Sequence, residues 1–353
     1  MCLHFKILKM KRITIILAIS LLFCSCGSNN SEDGLPKLFT TKQNVNTVSC
    51  QSIHGDNLLK INSLAIDNVN FYLYDKSADT MVLTVNKKDG HKSRFLVKGQ
   101  GPNDAVTVET MCPNGGNVYF FNLNLSKVLR YNATTGEVCP DSAASAFALD
   151  NVTGTSWAFV GDTVFIPILN NENRFVVKTP EQETYFGKID STSEHTSEEY
   201  GWILQPKICV NPVQEKMFWG STAGDAYGIY DYSDLNNIKQ VCLQLYELPA
   251  TSTNNRRAFL PETKFGLLSG TSNQDYIYVL YSGKQLKSVL KGTTDLESME
   301  LASNILVMDW EGNPVKHLLI DHELRDIYYD KYDNKLYGIE LKDDEYSLCK
   351  IPL

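Results

Sequence analysis

The chain has 353 residues, of which 43% are hydrophobic and 21% charged, with a formal net charge of −8. That apolar content excludes a disordered chain, and the length allows two or three ordinary domains or one large repeat fold. The acidic balance argues against a general nucleic-acid binder, and 18 Tyr, 15 Phe and 4 Trp favour strands over helices.

At the N-terminus, Met10-Lys11-Arg12 precedes Ile13 to Phe23, a run that is apolar apart from Thr14 and Ser20. A membrane-spanning helix needs about 20 apolar residues. Basic residues ahead of a shorter run read as an export signal. The following Leu22-Phe23-Cys24-Ser25-Cys26-Gly27 resembles the bacterial lipoprotein signal, in which a small residue precedes the lipidated Cys. The resemblance implies Cys26 as the lipidated residue, because Cys24 follows the bulky Phe23. The expected organisation is a signal peptide over 1–25, a lipid-anchored polar linker over 26–44 and a folded body over 45–353. Met10 is an alternative start.

Lys6, Lys9, Lys11 and Arg12 leave with such a signal and no acid does, so the side-chain balance moves from −8 to −12. The body is therefore not expected to lie on an anionic bilayer; the lipid on Cys26 is its expected tether. The polar, partly acidic stretch Asn29 to Asp33 points to the outer membrane, with the periplasmic or surface face open. Six cysteines then remain: Cys50, Cys112, Cys139, Cys209, Cys242 and Cys349. None forms a C-x-x-C pair and no His stands at a ligand spacing, so a zinc site is not expected. No cofactor is expected from any motif.

Beyond residue 40 no convincing helical period appears. A short aromatic or β-branched strand opened by a turn residue recurs instead. It occurs at Asn70–Asp75, Asn117–Asn122, Asp162–Pro167, Glu215–Gly220, Asp275–Leu280 and Asn334–Ile339, with starts 45–60 residues apart. That interval holds about four strands with turns, the unit of a propeller blade. Lys127–Tyr131 and Ile305–Trp310 read as the strands that follow two of them, and Val315–Ile320 as one more. A single such sheet cannot bury both faces, whereas six stacked around an axis can. The expected fold is all-β: a six-bladed β-propeller of four-stranded antiparallel blades. A β-sandwich pair, a β-helix and a ring of seven or eight blades are the alternatives.

Only 20 residues run from Asn334 to Leu353, enough for two strands. Leu324–Tyr329 supplies a third, and Asn46–Ile53 is the expected fourth, closing the ring with N-terminal chain. Cys50 and Cys349 would then lie on one sheet, where a disulfide is conceivable only if the strict geometry is met.

The segment Phe95-Leu-Val-Lys-Gly-Gln-Gly-Pro-Asn-Asp104 resembles the G-x-G-P-x-[DE] turn of the TolB-like six-bladed propeller lipoproteins. Gly99, Gly101, Pro102 and Asp104 match; Ala105 stands where the family usually carries an aromatic anchor. The resemblance implies a propeller fold and an envelope location more than a chemistry. Two readings of the turn stay open. One is a crossover between blades; the other is a ligand loop, with Lys98 and Gln100 beside the exposed amides of Gly99 to Asp104.

Catalytic signatures are missing. His322-Glu323 breaks the H-E-x-x-H spacing, and Gly220–Gly224 carries Thr222 where a nucleophile elbow needs Ser. Asp321, Glu323, Asp326, Asp330 and Asp333 read as solvated loop charges rather than a Ca²⁺ loop. The leading expectation is a non-catalytic binding propeller for a protein or glycan partner. A metal-dependent propeller hydrolase or lyase is the alternative, with His54, Asp67, His317 and Asp326 as channel candidates. A scaffold that uses the outer edge is a third reading. Trp157, Trp202, Trp219 and Trp310 serve either sugar stacking or packing between blades.

Overall fold

The computed structural model describes residues 34–51, 60–151, 153–169, 171–252, 258–292, 297–342 and 345–353; Cys26 and His54 lie outside them. The described chain opens with two short strands, β1 (Lys42–Val45) and β2 (Val48–Gln51). Four antiparallel sheets follow in chain order. The first holds β3 (Ile61–Ile66), β4 (Asn70–Asp75), β5 (Thr80–Asn86) and β6 (Lys92–Val97). The second holds β7 (Thr110–Asn114), β8 (Asn117–Asn122), β9 (Lys127–Asn132) and β10 (Val138–Pro140). The third holds β11 (Ala158–Val160), β12 (Thr163–Pro167), β13 (Phe175–Lys178) and β14 (Glu183–Phe186). The fourth holds β15 (Pro206–Asn211), β16 (Lys216–Ser221), β17 (Asp225–Asp231) and β18 (Lys239–Glu247).

The last strands are β19 (Leu267–Ser272), β20 (Tyr276–Tyr281), β21 (Ala302–Asp309), β22 (Pro314–Asp330), β23 (Lys335–Lys342) and β24 (Glu345–Ile351). They join β1 and β2 in one larger sheet. Its register resolves it into two blades. The first part of β22 pairs with β21 (Asn304 opposite Leu319), and its last part pairs with β23 (Tyr328 opposite Tyr337). Blade five is thus β19, β20, β21 and the start of β22; blade six is the end of β22 with β23, β24 and β2. The sequence separates Val315–Ile320 from Leu324–Tyr329, whereas the chain carries both as one 17-residue strand.

Each recurring segment is the second strand of its blade: β4, β8, β12, β16, β20 and β23. These strands are buried on both faces, as Phe71 to Asp75 show, because a blade has neighbours above and below. Outer strands such as β18 keep exposed residues. The apolar core divides among six clusters, and each lies between two consecutive blades around the ring. A cluster joining blade six to blade one, with Tyr337 and Ile339 against Phe71 and Leu73, shows that the ring closes.

Closure uses the expected N-terminal strand: β2 pairs antiparallel with β24, Val48 opposite Lys350 and Ser49 opposite Cys349. Cys50 falls at an irregularity in that register, and its side chain lies outside the described residues. The preceding chain is packed as well. β1 pairs parallel with β22 on blade five. Leu35 and Phe39 are buried between blades four and five, where Asp225 accepts the Leu35 amide at 3.1 Å. The stretch read as polar linker therefore docks on the propeller from Gly34 onward.

Three short α-helices stand outside the strand pattern among the described residues: α1 (Ser142–Asp150), α2 (Ser197–Ile203) and α3 (Leu286–Leu290). Asp141 caps α1 by accepting the Ala144 amide at 3.0 Å, and Thr196 with Glu199 forms a capping box on α2. Two and a half turns or fewer are too short to establish a period, which is why the sequence hides them. Among the described residues, no helix is long and apolar enough to cross a membrane.

Candidate functional site

The six innermost strands are β3, β7, β11, β15, β19 and the end of β22. All of them line one open cavity of about 680 Å³. Each strand enters from the crossover side and ends in the hairpin to its second strand, so the cavity has a crossover end and a hairpin end.

At the hairpin end, short polar side chains close turns. Asp67 Oδ1 accepts the Val69 and Asn70 amides, each at 2.7 Å, and its Oδ2 accepts the Tyr72 hydroxyl. Asn211 accepts the Val213 and Gln214 amides, Asn273 those of Asp275 and Tyr276, and Asp330 those of Tyr332 and Asp333. Such side chains mimic a backbone turn. In these four blades the side chain that forms the turn stands two to four residues ahead of the recurring segment, rather than at the residue that opens it.

Along the channel, hydroxyls stitch neighbouring strands. Thr110 Oγ1 accepts the Trp157 amide, Ser156 Oγ the Ile208 amide and Thr271 Oγ1 the Tyr329 amide, at 2.9–3.0 Å. Asp326 performs the largest version of this task. Its Oδ2 accepts the Leu64 amide at 2.7 Å, and its Oδ1 accepts the Ile327 amide at 2.9 Å and the Ser269 hydroxyl. One carboxylate therefore ties blades five, six and one. Burial pushes Asp326 above the ordinary carboxylate range against the pull of these hydrogen bonds.

The metal candidates do not converge. Asp67 and Asp326 line the cavity, but Leu64, which bonds Asp326, stands three residues from Asp67, about 10 Å along a strand. His317 lies on the outer part of β22, with Nε2 at 3.0 Å from Asn304 Oδ1. Among the described residues no group of three or more His, Cys, Asp or Glu side chains is placed to hold a metal. The acids from Asp321 to Asp333 are spread along and just past one strand instead of sharing a loop, and Asp326 is buried. Cys112 and Cys209 line the cavity, where burial pushes their thiols up to about 11 and about 12, so neither is a thiolate at neutral pH.

The G-x-G-P-x-D turn lies outside the cavity lining, after β6, the outer strand of blade one. Asp104 Oδ2 accepts the Gly101 amide at 3.1 Å, and the Gly99 amide donates to Ala105 O at 3.0 Å. A Cβ at Gly99 or Gly101 would stand 2.5 or 2.6 Å from that carboxylate, so the glycines make room for it. From blade two, Lys127 Nζ donates to Gly101 O at 2.8 Å and to Asp104 O at 3.1 Å. Lys98 Nζ reaches Lys76 O. Pro102 is exposed and Gln100 with it. The local geometry is that of a crossover latch between blades one and two. Trp157, Trp219 and Trp310 are buried and Trp202 is half-buried, which places the indoles in packing.

Lys207 and Arg325 also line the crossover end. Reading motifs does not find them, since they belong to none. Their only signal is their place in an innermost strand.

Six four-stranded blades around an open channel define the chain as a six-bladed β-propeller with a ligand-sized central cavity. The profile of the TolB-like 6-blade propeller-like family matches residues 87–331, and the chain belongs to that family. Two solved structures share the fold. One is a member of the DUF4221 family from Bacteroides vulgatus, at 11% identity, with 87% of this chain and 98% of that one covered and a TM-score of 0.55. The other is a Bacteroides fragilis protein named as a candidate for export, at 11% identity, with 89% and 98% covered and a TM-score of 0.57. No curated protein matches the chain in sequence.

Proposed function

We propose that the protein is an exported lipoprotein, tethered through Cys26, whose propeller binds a protein or glycan partner without transforming it. One observation carries this reading: innermost strands from all six blades converge on an open cavity of about 680 Å³, within the range that takes small ligands. The side chains that resemble catalytic groups are occupied in turns and strand stitching, as Asp67 and Asp326 show. The lipoprotein-like signal and the export named for the Bacteroides fragilis relative support the location.

Capture from intact cells with the lipidated protein tests the reading. A partner retained by the wild type and lost when Tyr332, which lines the cavity and is 55% exposed, is changed to Ala supports it. Capture that is indifferent to the cavity, or that turns over its ligand, counts against it.

A further inference from the structure

The innermost strands spend free edges on one another. The amides of Leu64, Trp157, Ile208 and Tyr329 donate to side chains of neighbouring blades, so those edges are closed to an added strand. The hairpin end presents side chains instead. Exposed apolar groups stand there on four consecutive blades: Val213 on four, Tyr276 on five, Tyr332 on six and Val69 on one. Val213 is 68% exposed. Blades two and three turn on Gly115, Gly116 and Gly161, where a Cβ would meet nothing within 4 Å. The mouth thus has a raised apolar crescent and a low side. Single apolar residues on a surface are ordinary, but a group around one mouth, rimmed by polar side chains, marks an interaction site.

The crescent is held in place. Gln214 Nε2 donates to Gln274 O at 2.6 Å between blades four and five. Between blades six and one, the Lys87 amide donates to Val69 O, while its ammonium pairs with Asp330 and lies 5.6 Å from the centre of the Tyr332 ring. A surface fixed in advance loses less entropy on binding. Charge adds a second observation. Eleven hairpin turns join the strands on this side, six at the inner rim and five outside, and together they hold ten acids and three lysines. One of those lysines is Lys87, already paired. An exposed acid stands beside the crescent on three consecutive blades: Glu215 in the turn of Val213, Asp275 before Tyr276 and Asp333 after Tyr332.

We infer that the hairpin face docks a protein through a basic, apolar loop seated on this crescent, with its cations against Glu215, Asp275 and Asp333. Buried aromatic and aliphatic contacts supply the affinity, and complementary charge selects the partner. Valine methyl groups offer a sugar hydroxyl no hydrogen bond, and like charge disfavours an acidic glycan. The inference narrows the binding reading above to a protein partner and rests on it.

Photocrosslinking in cells that carry the lipidated full-length protein tests it. Benzoylphenylalanine is placed at Val213 or, on the crossover side, at the exposed Leu149 of α1. The Val213 probe should give at least about ten times the protein adduct of the Leu149 probe, and the crosslinked segment should be rich in Lys or Arg. In isolated envelopes the Val213 adduct should fall with added salt. Glu215→Lys with Asp275→Lys should cut it at least about tenfold at an unchanged thermal midpoint. A glycan adduct, an adduct with a second copy of this chain, an acidic partner segment, equal adducts at the two positions, or indifference to salt and charge reversal overturns the inference. The salt series keeps the native acids and decides the matter even if the double variant misfolds. A partner captured by the wild type with no adduct at Val213 overturns the crescent and leaves the binding reading standing; no partner by either route removes both.

Discussion

Aspartates in this protein act by what they accept. Asp104 holds the Gly101 amide and Asp225 holds the Leu35 amide and the Tyr281 hydroxyl, at 3.1 and 2.8 Å for the latter pair. Asp104→Ala removes the acceptor inside the G-x-G-P-x-D turn, and the expected cost is about 1 kcal/mol in urea denaturation. Asp225 is buried, and that burial raises its carboxyl above the ordinary range even though both partners favour the charged form. A raised folded pKa means that the folded state holds its proton more tightly than the unfolded one. Its contribution is greatest below the unfolded value, about 4, and is lost as pH rises through the folded value. Thermal midpoints of wild type and Asp225→Asn between pH 4 and pH 7 check this: the wild type should lose stability relative to the variant as pH rises. A parallel pair of profiles would contradict the assignment.

At the scale of elements, the seams between blades carry the energy. Trp219 is fully buried between blades three and four, and the Arg174 guanidinium lies 3.8 Å from its ring centre while Nη2 donates to Leu204 O at 2.7 Å. Trp219→Ala leaves a large void beside a buried cation, and a loss of at least about 3–5 kcal/mol is expected from chemical denaturation. The closing strand offers a separate test. A chain begun at Gly34 keeps β1, β2 and the Leu35–Phe39 wedge, and its thermal midpoint should equal that of a chain begun at Cys26. A chain begun at Ser52 lacks all three, so it should melt lower and exchange the amides of β24 faster, read by hydrogen exchange. Equal melting of the two shortened chains would show that ring closure does not depend on this segment.

For the whole molecule, the ring puts one innermost strand from every blade around a shared space, so residues far apart in sequence become neighbours. Lys207 and Arg325 are 118 positions apart yet line the same end of the cavity. The proposed tether belongs to this scale too. Cys26→Ser is expected to move the protein from the membrane fraction to the soluble fraction of fractionated cells; retention with the membrane would refute lipidation at Cys26.

The order of strands was legible in the sequence because every second strand of a blade needs apolar residues on both faces, and that demand repeats at a readable interval. Closure by Asn46–Ile53 was legible from a count of strands left over at the C-terminus. The parallel docking of β1 and the wedge of Leu35 and Phe39 were not, because each depends on contacts across more than 180 residues rather than on a local pattern; the union of two blades through β22 was not either, because the residues between Ile320 and Leu324 carry no signal that one strand runs on from blade to blade. The site divides in the same way. Sequence selected Asp67 and Asp326 by residue type, but type does not say whether a carboxylate is spent. Only the folded ring, by bringing backbone amides and hydroxyls to these two carboxylates, decides that both are spent as acceptors in a turn and between strands.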